Sequence, residues 1–161
     1  MTKKDINFSV DVYGSVEELN SADRDLLIAA QQATKQAYAP YSKFLVGAVA
    51  ALANGQTVTG TNQENASYPV GICAERVLLS CAASLYPGVP INTIAISYDN
   101  LNGESDHPIS PCGICRQSLS EYQERVNSPI RLIMSGMKGE VYVLESAKQL
   151  LPLSFSADDF N

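Results

Sequence analysis

The run Cys73-Ala74-Glu75-Arg76 decides how this chain is read, together with Pro111-Cys112-Gly113-Ile114-Cys115 further along the sequence. Zinc prefers thiolate and imidazole ligands, and a catalytic zinc has three protein ligands and an open position for water. Cys73, Cys112 and Cys115 supply three thiolates, and no fourth ligand has a suitable spacing. The two runs therefore predict a catalytic zinc site with one ion per chain.

The spacing of these residues also predicts their backbone setting. Cys112 and Cys115 are three residues apart, so they share one face of a helix, and Pro111 suits the start of that helix. Cys73 and Glu75 would point in nearly opposite directions in the middle of a helix. Both reach one ion only if Cys73 lies in the first turn or just before it. We therefore expect two helix N-termini to converge, where free N–H groups and helix dipoles favour thiolates.

Glu75 is the predicted proton carrier of the site. It is close enough in sequence to Cys73 to handle the protons of a bound water without binding the metal. Three thiolates would leave a zinc ion with a net negative charge, and Arg76 and Arg116 are predicted to offset it by hydrogen bonding to sulfur. A Cys-x-Glu pair followed by Pro-Cys-x-x-Cys resembles the signature of zinc-dependent nucleobase deaminases.

A structural zinc site or a set of buried thiols is the alternative interpretation. Cys81 follows Cys73 by eight residues, roughly 12 Å along a helix, so it cannot complete the same ligand shell. His107 is a lone histidine in a polar loop and is predicted to be plain surface. Buried thiols alone would not explain the glutamate beside Cys73. The catalytic interpretation is therefore favoured.

Composition limits the classes of function that fit. The 161 residues suit a single domain, 1–161, in which residues 1–20 form an N-terminal extension of unknown role. Net charge is −6, from 17 acidic and 11 basic residues, without a Lys/Arg-rich run. That charge argues against a nucleic-acid polymer as partner and for a small neutral or near-neutral substrate. The start of the sequence leads into no apolar signal region, and no run of 18 apolar residues suggests a membrane span. Thiolate ligands then point to the cytoplasm.

Hydrophobic periodicity predicts alternating helices and strands, with Asn54-Gly55 as a hairpin turn. Alternating Ile6, Phe8, Val10 and Val12 predict a short strand with one buried face. A helix is expected from Ser21 to about residue 38. The remaining expected elements are strands at 46–52 and 57–61, a helix from 73, a strand at 91–97, a loop at 99–110, a helix at 112–122, and strands at 130–134 and 141–144. The fold class is therefore α/β, with a mixed sheet of about five strands sandwiched by helices.

From residue 37 to residue 155 the chain resembles the small, homotetrameric, zinc-dependent cytidine deaminases of pyrimidine salvage. The motifs that carry the resemblance are the two metal runs with Arg116-Gln117, Tyr38-Ala39-Pro40-Tyr41-Ser42-Lys43-Phe44, Val46-Gly47-Ala48, Gly60-Thr61-Asn62-Gln63-Glu64-Asn65-Ala66, Gly71-Ile72 and Leu150-Leu151-Pro152-Leu153-Ser154-Phe155. The resemblance implies a three-layer α/β/α fold. It also implies hydrolytic deamination of cytidine and deoxycytidine to uridine and deoxyuridine with release of ammonia.

The resemblance further implies roles for individual residues. Cys73, Cys112 and Cys115 would bind zinc, Glu75 would shuttle protons, and Ala74 would offer backbone contacts to the base.

The same resemblance implies the rest of the substrate site. Phe44 would lie against the pyrimidine, and Asn62 and Glu64 would bind ribose hydroxyls. Phe155 would reach the site of a neighbouring subunit in a homotetramer with shared active sites.

Around the metal, Arg76, Arg116 and Gln117 would support the ligands. Gln63 and Leu45 depart from the usual family pattern and leave substrate preference open. Three alternatives therefore stay open: a deaminase of another small aminopyrimidine nucleoside such as an antibiotic, a polynucleotide editor, and a non-enzymatic zinc-containing nucleoside-binding module.

Overall fold

Six strands form one mixed sheet in the computed structural model, which describes residues 1–160. In chain order they are β1 (Asp11–Tyr13), β2 (Phe44–Leu52), β3 (Thr57–Thr61), β4 (Ile91–Asn100), β5 (Arg131–Ser135) and β6 (Val141–Leu144). Their order across the sheet is β1-β6-β5-β4-β2-β3. β4 and β5 run parallel, and every other neighbouring pair is antiparallel.

Three α-helices cover the two faces of the sheet: α1 (Ser21–Ala33), α2 (Ala74–Leu85) and α3 (Gly113–Arg125). Alternate residues of β2 point to opposite faces, as in any strand. Val49 packs with Leu27 and Ala30 of α1, whereas Ala48 and Ala50 pack in the larger core with α2 and α3. The predicted α/β class and its three-layer arrangement are confirmed. Short 3₁₀ turns lie at Val16–Glu18, Thr34–Gln36, Tyr68–Val70, Ala147–Leu150 and Ala157–Phe160.

Glycines let two helices lie directly on the sheet. A Cβ atom on Gly47 of β2 would overlap the Ala30 carbonyl oxygen in α1. A Cβ atom on Gly60 of β3 would overlap the Ala74 carbonyl oxygen and crowd Leu78 in α2. Glycine permits such close approach because it has no side chain. The first turn of α2 is therefore fixed against the sheet through backbone contact.

The N-terminal prediction is partly wrong. β1 spans Asp11–Tyr13 only, and the residues before it are not in a strand. Ile6, Phe8 and Val12 are 50%, 49% and 56% exposed, so the alternation does not mark a buried face. Alternating apolar residues form a half-buried strand only where a partner edge and a covering layer are available, and β6 offers an edge to three residues. This pairing adds a sixth strand to the predicted sheet of about five.

Other boundaries differ by a few residues. α1 ends at Ala33 and gives way to a 3₁₀ turn, before the predicted end near residue 38. β4 continues to Asn100 and α3 to Arg125. The hairpin at Gly55 is confirmed, with its backbone φ at 82°. No helix within residues 1–160 combines the length and the apolar character needed to cross a membrane.

Candidate metal centre and active site

Three thiols meet where α2 and α3 begin. Cys73 is the N-cap residue of α2, and Cys112 is the N-cap residue of α3. Cys115 lies in the first turn of α3 and is fully buried. The Sγ atoms of Cys73 and Cys112 are 3.8 Å apart, and those of Cys112 and Cys115 are 3.5 Å apart. The predicted convergence of two helix N-termini is confirmed.

The spacing of the sulfur atoms fits a zinc ion. Tetrahedral zinc with Zn–S bonds of about 2.3 Å places its sulfurs roughly 3.8 Å from one another. The ligand atoms of Cys73, Cys112 and Cys115 all lie within 4.8 Å of one another, and no other histidine, cysteine or acidic side chain that the structure describes joins this group. Cys81 instead packs against the larger hydrophobic core, as predicted. The residues therefore fit a three-thiolate zinc site with an open fourth position.

Hydrogen bonding between the thiols divides their protons unequally. A hydrogen bond from the Cys115 thiol lowers the pKa of Cys73 to about 6, and the Arg76 charge acts in the same direction. The same hydrogen bond, together with burial, raises the pKa of Cys115. The shift favours the thiolate form at Cys73 and the protonated form at Cys115, so binding of a metal ion to all three thiols would release protons.

Glu75 is the acidic side chain that the fold buries beside these thiols. It lies in the first turn of α2 and is 5% exposed. Burial raises the pKa of Glu75, while a hydrogen bond from Cys115 acts in the opposite direction. A carboxyl group whose pKa moves toward neutrality can both accept and return a proton. Ala74, between Cys73 and Glu75, is fully buried.

Comparison with known proteins also indicates a zinc-binding deaminase. A family model for the cytidine and deoxycytidylate deaminase zinc-binding region matches residues 20–128, which include the three cysteines and Glu75. The chain belongs to this deaminase family. A cytidine deaminase of Halalkalibacterium halodurans is 35% identical over 140 residues, covering 86% of this chain and 98% of the relative.

Solved cytidine deaminase structures share the fold. The enzyme from Burkholderia pseudomallei superimposes with a TM-score of 0.72 at 37% identity, covering 85% of this chain and 100% of that one. The enzyme from Mycobacterium tuberculosis gives a TM-score of 0.62 at 30% identity, covering 81% of this chain and 94% of that one.

Backbone hydrogen bonds place the polar residues of the deaminase motif Asn62-Gln63-Glu64 beside the metal centre. The Gln63 backbone pairs with that of Ile72, with N···O distances of 2.9 and 3.0 Å. On its other side the segment pairs with Tyr38, which donates to the Asn62 carbonyl and accepts from the Glu64 amide. Ile72 directly precedes Cys73. The segment and the first metal ligand are therefore parts of one hydrogen-bonded unit.

The Asn62 and Glu64 side chains also bind backbone in this structure. Asn62 accepts a hydrogen bond from the Val46 amide at 2.7 Å and donates one to the Phe44 carbonyl at 2.9 Å. Glu64 accepts from the Tyr41 amide at 2.9 Å, and hydrogen bonding from the Ser42 hydroxyl lowers the pKa of Glu64. These bonds order the chain that leads into β2. Ribose binding by Asn62 and Glu64 stays a prediction.

Phe44 stacks on a residue that the sequence did not single out. The rings of Phe44 and Tyr98 have centroids 4.8 Å apart and planes inclined by 15°. Tyr98 is opposite Val46 in the antiparallel β2–β4 pair, and Phe44 is therefore its diagonal neighbour. The sequence pattern alone does not reveal this pair, because the pairing follows from the register of β2 against β4.

Arg116 and Gln117 connect α3 to the C-terminal segment by hydrogen bonds. Arg116 donates to the Pro111 carbonyl at 2.8 Å and to the Leu150 carbonyl at 3.1 Å. Gln117 donates to the Phe155 carbonyl at 2.9 Å. The Phe155 side chain is 59% exposed. A hydrogen bond from Arg76 or Arg116 to a ligand sulfur stays a prediction, as does the role of Phe155 in a neighbouring site.

Proposed function

We propose that this chain is a zinc-dependent cytidine deaminase that hydrolyses cytidine and deoxycytidine to uridine and deoxyuridine, releasing ammonia. The observation that carries the proposal is the group of three thiols with a buried glutamate beside it, at two converging helix N-termini. A glutamate in that place has no use in a structural zinc site, where four protein ligands close the metal. It is needed in a hydrolytic deaminase.

The proposed reaction needs a metal ion and Glu75. Cys73, Cys112 and Cys115 would hold a zinc ion, which would supply the Lewis acidity that activates a water for attack at neutral pH. Glu75 takes the proton of the attacking water and delivers a proton to the ring nitrogen N3 of the base. It then takes the remaining proton from the oxygen now bonded to C4 and passes it to the amino group. The C4–N bond breaks, the C4 carbonyl forms, and the amino group leaves as ammonia. The raised pKa of Glu75 suits these successive transfers.

We assign the substrate contacts to residues of the deaminase motifs. The Phe44 ring would lie against the pyrimidine, and the backbone at Ala74 would contact its polar edge. The Asn62 amide carries a second N–H besides the one bound to Phe44, and this N–H is assigned to a ribose hydroxyl together with the Glu64 carboxylate. The net charge of −6 favours a nucleoside over a phosphate-rich polymer.

The assembly and the cellular setting belong to the same proposal. Residues 1–161 would form one deaminase domain, with residues 1–20 as an extension. Phe155 is an exposed aromatic group beside the hydrogen bond from Gln117, and a homotetramer in which it completes a neighbouring site would cover it. The thiolate ligands suit a reducing compartment, so we propose a cytoplasmic enzyme of pyrimidine salvage.

One assay tests the activity. Purified protein is mixed with cytidine, the loss of its ultraviolet absorbance is followed, and zinc per chain is measured on the same sample. We expect turnover with one zinc per chain. Zinc without turnover would favour the nucleoside-binding module, and faster reaction on a single-stranded oligonucleotide would favour an editor. Light scattering then reports whether the mass is near four times 17.3 kDa.

A further inference from the structure

A buried tyrosine lies directly behind the aromatic ring assigned to the base. Tyr98 is 1% exposed, and its ring covers one face of Phe44 at a centroid distance of 4.8 Å. Phe44 itself is only partly buried. Stacked aromatic pairs resist sliding and tilting because their packing and quadrupole interactions depend on geometry. The position of Phe44 therefore depends on where Tyr98 is held.

The hydroxyl group of Tyr98 is tied to the loop that precedes the second metal run. It lies 3.3 Å from Nδ1 of His107, and the two rings meet edge to face at 5.8 Å. His107 Nδ1 also lies 3.2 Å from an Asp106 carboxylate oxygen. The hydrogen bond with Tyr98 therefore gives His107 a buried partner on β4, although the His107 side chain is 67% exposed.

The loop that carries His107 is itself anchored on two sides. The Asn100 amide at the end of β4 donates to the Ser105 hydroxyl at 2.8 Å. The Ser105 carbonyl accepts from the Met137 amide at 2.7 Å, in the turn between β5 and β6. Since the loop is fixed at Ser105, a hydrogen bond from it can restrain the Tyr98 ring.

We propose that Tyr98, restrained by His107, is a positioning residue that sets how tightly the planar base of the substrate is held through Phe44. The inference rests on the proposed function, which places the base against Phe44. Tyr98 does not touch substrate in this assignment and takes no part in proton transfer. Its loss should therefore weaken substrate binding and leave the chemical step and the metal in place.

The first experiment replaces the ring with an aliphatic side chain. Tyr98→Leu is compared with Tyr142→Leu, the same change at a partly buried tyrosine of β6 that packs against the larger hydrophobic core. We expect KM for cytidine to rise roughly two- to tenfold in Tyr98→Leu, as for loss of an aromatic pair, with kcat and zinc content kept. Tyr142→Leu should lower the melting temperature without changing KM.

Each outcome separates this inference from the proposed function. If the unmodified protein turns over cytidine and Tyr98→Leu has the KM of Tyr142→Leu, Tyr98 is only a core residue and the inference is wrong. Absence of cytidine turnover by the unmodified protein would overturn the proposed function, and the inference with it.

A second experiment tests the hydrogen bond and does not depend on Tyr98→Leu folding. Tyr98→Phe removes only the hydroxyl, and His107→Ala removes its partner. Each should raise KM about twofold, and the double variant should show no further rise, because coupled residues are not additive. Additive effects, or no change of KM in either variant, would overturn the role of His107.

Discussion

The two helix ends that bring the thiols together are built differently. At the start of α2, Gly60 seats the first turn on β3, and Glu75 is buried beside Cys73. At the start of α3, Cys112 is exposed, and Arg116 links the preceding loop to the C-terminal segment. The α2 end is thus fixed by the sheet and carries the residue to which the proton transfers are assigned. The α3 end is fixed by side-chain hydrogen bonds, and a metal ion bound to its thiols would fix it further.

Removing one thiol from either helix end should have the largest effect on zinc binding and activity. The effect should be the same at both ends, although the ends are built differently. Cys73→Ala and Cys112→Ala each leave two thiolates, too few to hold zinc in a three-ligand site. We expect both proteins to lose zinc and to show no cytidine turnover above background. Metal analysis after gel filtration checks this, with Cys81→Ala as the control that keeps its zinc. Full zinc occupancy in Cys112→Ala would contradict the ligand assignment.

Glu75→Gln should separate chemistry from metal binding. The change keeps the shape of the side chain and removes its capacity to carry protons, so kcat should fall by at least about 10²–10⁴-fold while zinc stays bound. Because burial raises the pKa of Glu75, its charged form is disfavoured in the fold, and the neutral amide should not lower stability at pH 7. Glu121→Gln on the exposed side of α3 is the matched control. A loss of kcat of only a few-fold would place the proton carrier elsewhere.

Gly60→Ala adds a methyl group under the start of α2, and Gly113→Ala adds one at the start of α3. The pair tests how tightly each helix end is packed. Gly60→Ala pushes a Cβ into the backbone of α2, which should destabilise the protein by roughly 3 kcal/mol and lower kcat by moving Glu75. A Cβ on Gly113 in α3 meets nothing within 4 Å, so Gly113→Ala should be neutral or stabilising by up to about 1 kcal/mol. Urea unfolding measures both. Equal destabilisation would remove the distinction between the ends.

Among the destabilising changes, Arg116→Ala has the smallest expected effect. Arg116→Ala removes two hydrogen bonds to the Pro111 and Leu150 carbonyls, which should cost about 1–3 kcal/mol of stability. Zinc affinity should fall because the Cys112 loop loses its tie, whereas the Glu75 end is unchanged. Competition with a graded series of chelators measures that affinity. Stability equal to that of the unmodified protein would show that the metal alone fixes the α3 end.

Each half of the metal centre was predictable because its own geometry is local: a cysteine at a helix N-cap with a glutamate two residues later, and two cysteines three residues apart on one helix face. That the two halves meet across 39 residues came from the match to the deaminase signature and not from helix geometry. The predicted placement of Cys73 at or before the first turn is confirmed by its N-cap position. The strands 46–52 and 57–61 were likewise predictable because the Asn54-Gly55 turn fixes how they pair.

Features that depend on distant parts of the chain were not predictable in the same way. The Phe44–Tyr98 stack requires the register of β2 against β4, which pattern alone does not give. The carbonyl partners of Arg116 include Leu150, 34 residues away. At the N-terminus, the alternation of Ile6 and Phe8 satisfied a local rule, but the fold supplies no layer to bury them.

The sequence distance between the two helix ends has a thermodynamic consequence. Cys73 and Cys112 are 39 residues apart, so a zinc ion bound to both works as a removable cross-link. A cross-link of that span restricts the denatured chain by about 4 kcal/mol on the chain-entropy estimate for loop closure. An ion bound to both thiols would therefore stabilise the folded state even when no substrate is present, by an amount that grows with the zinc concentration.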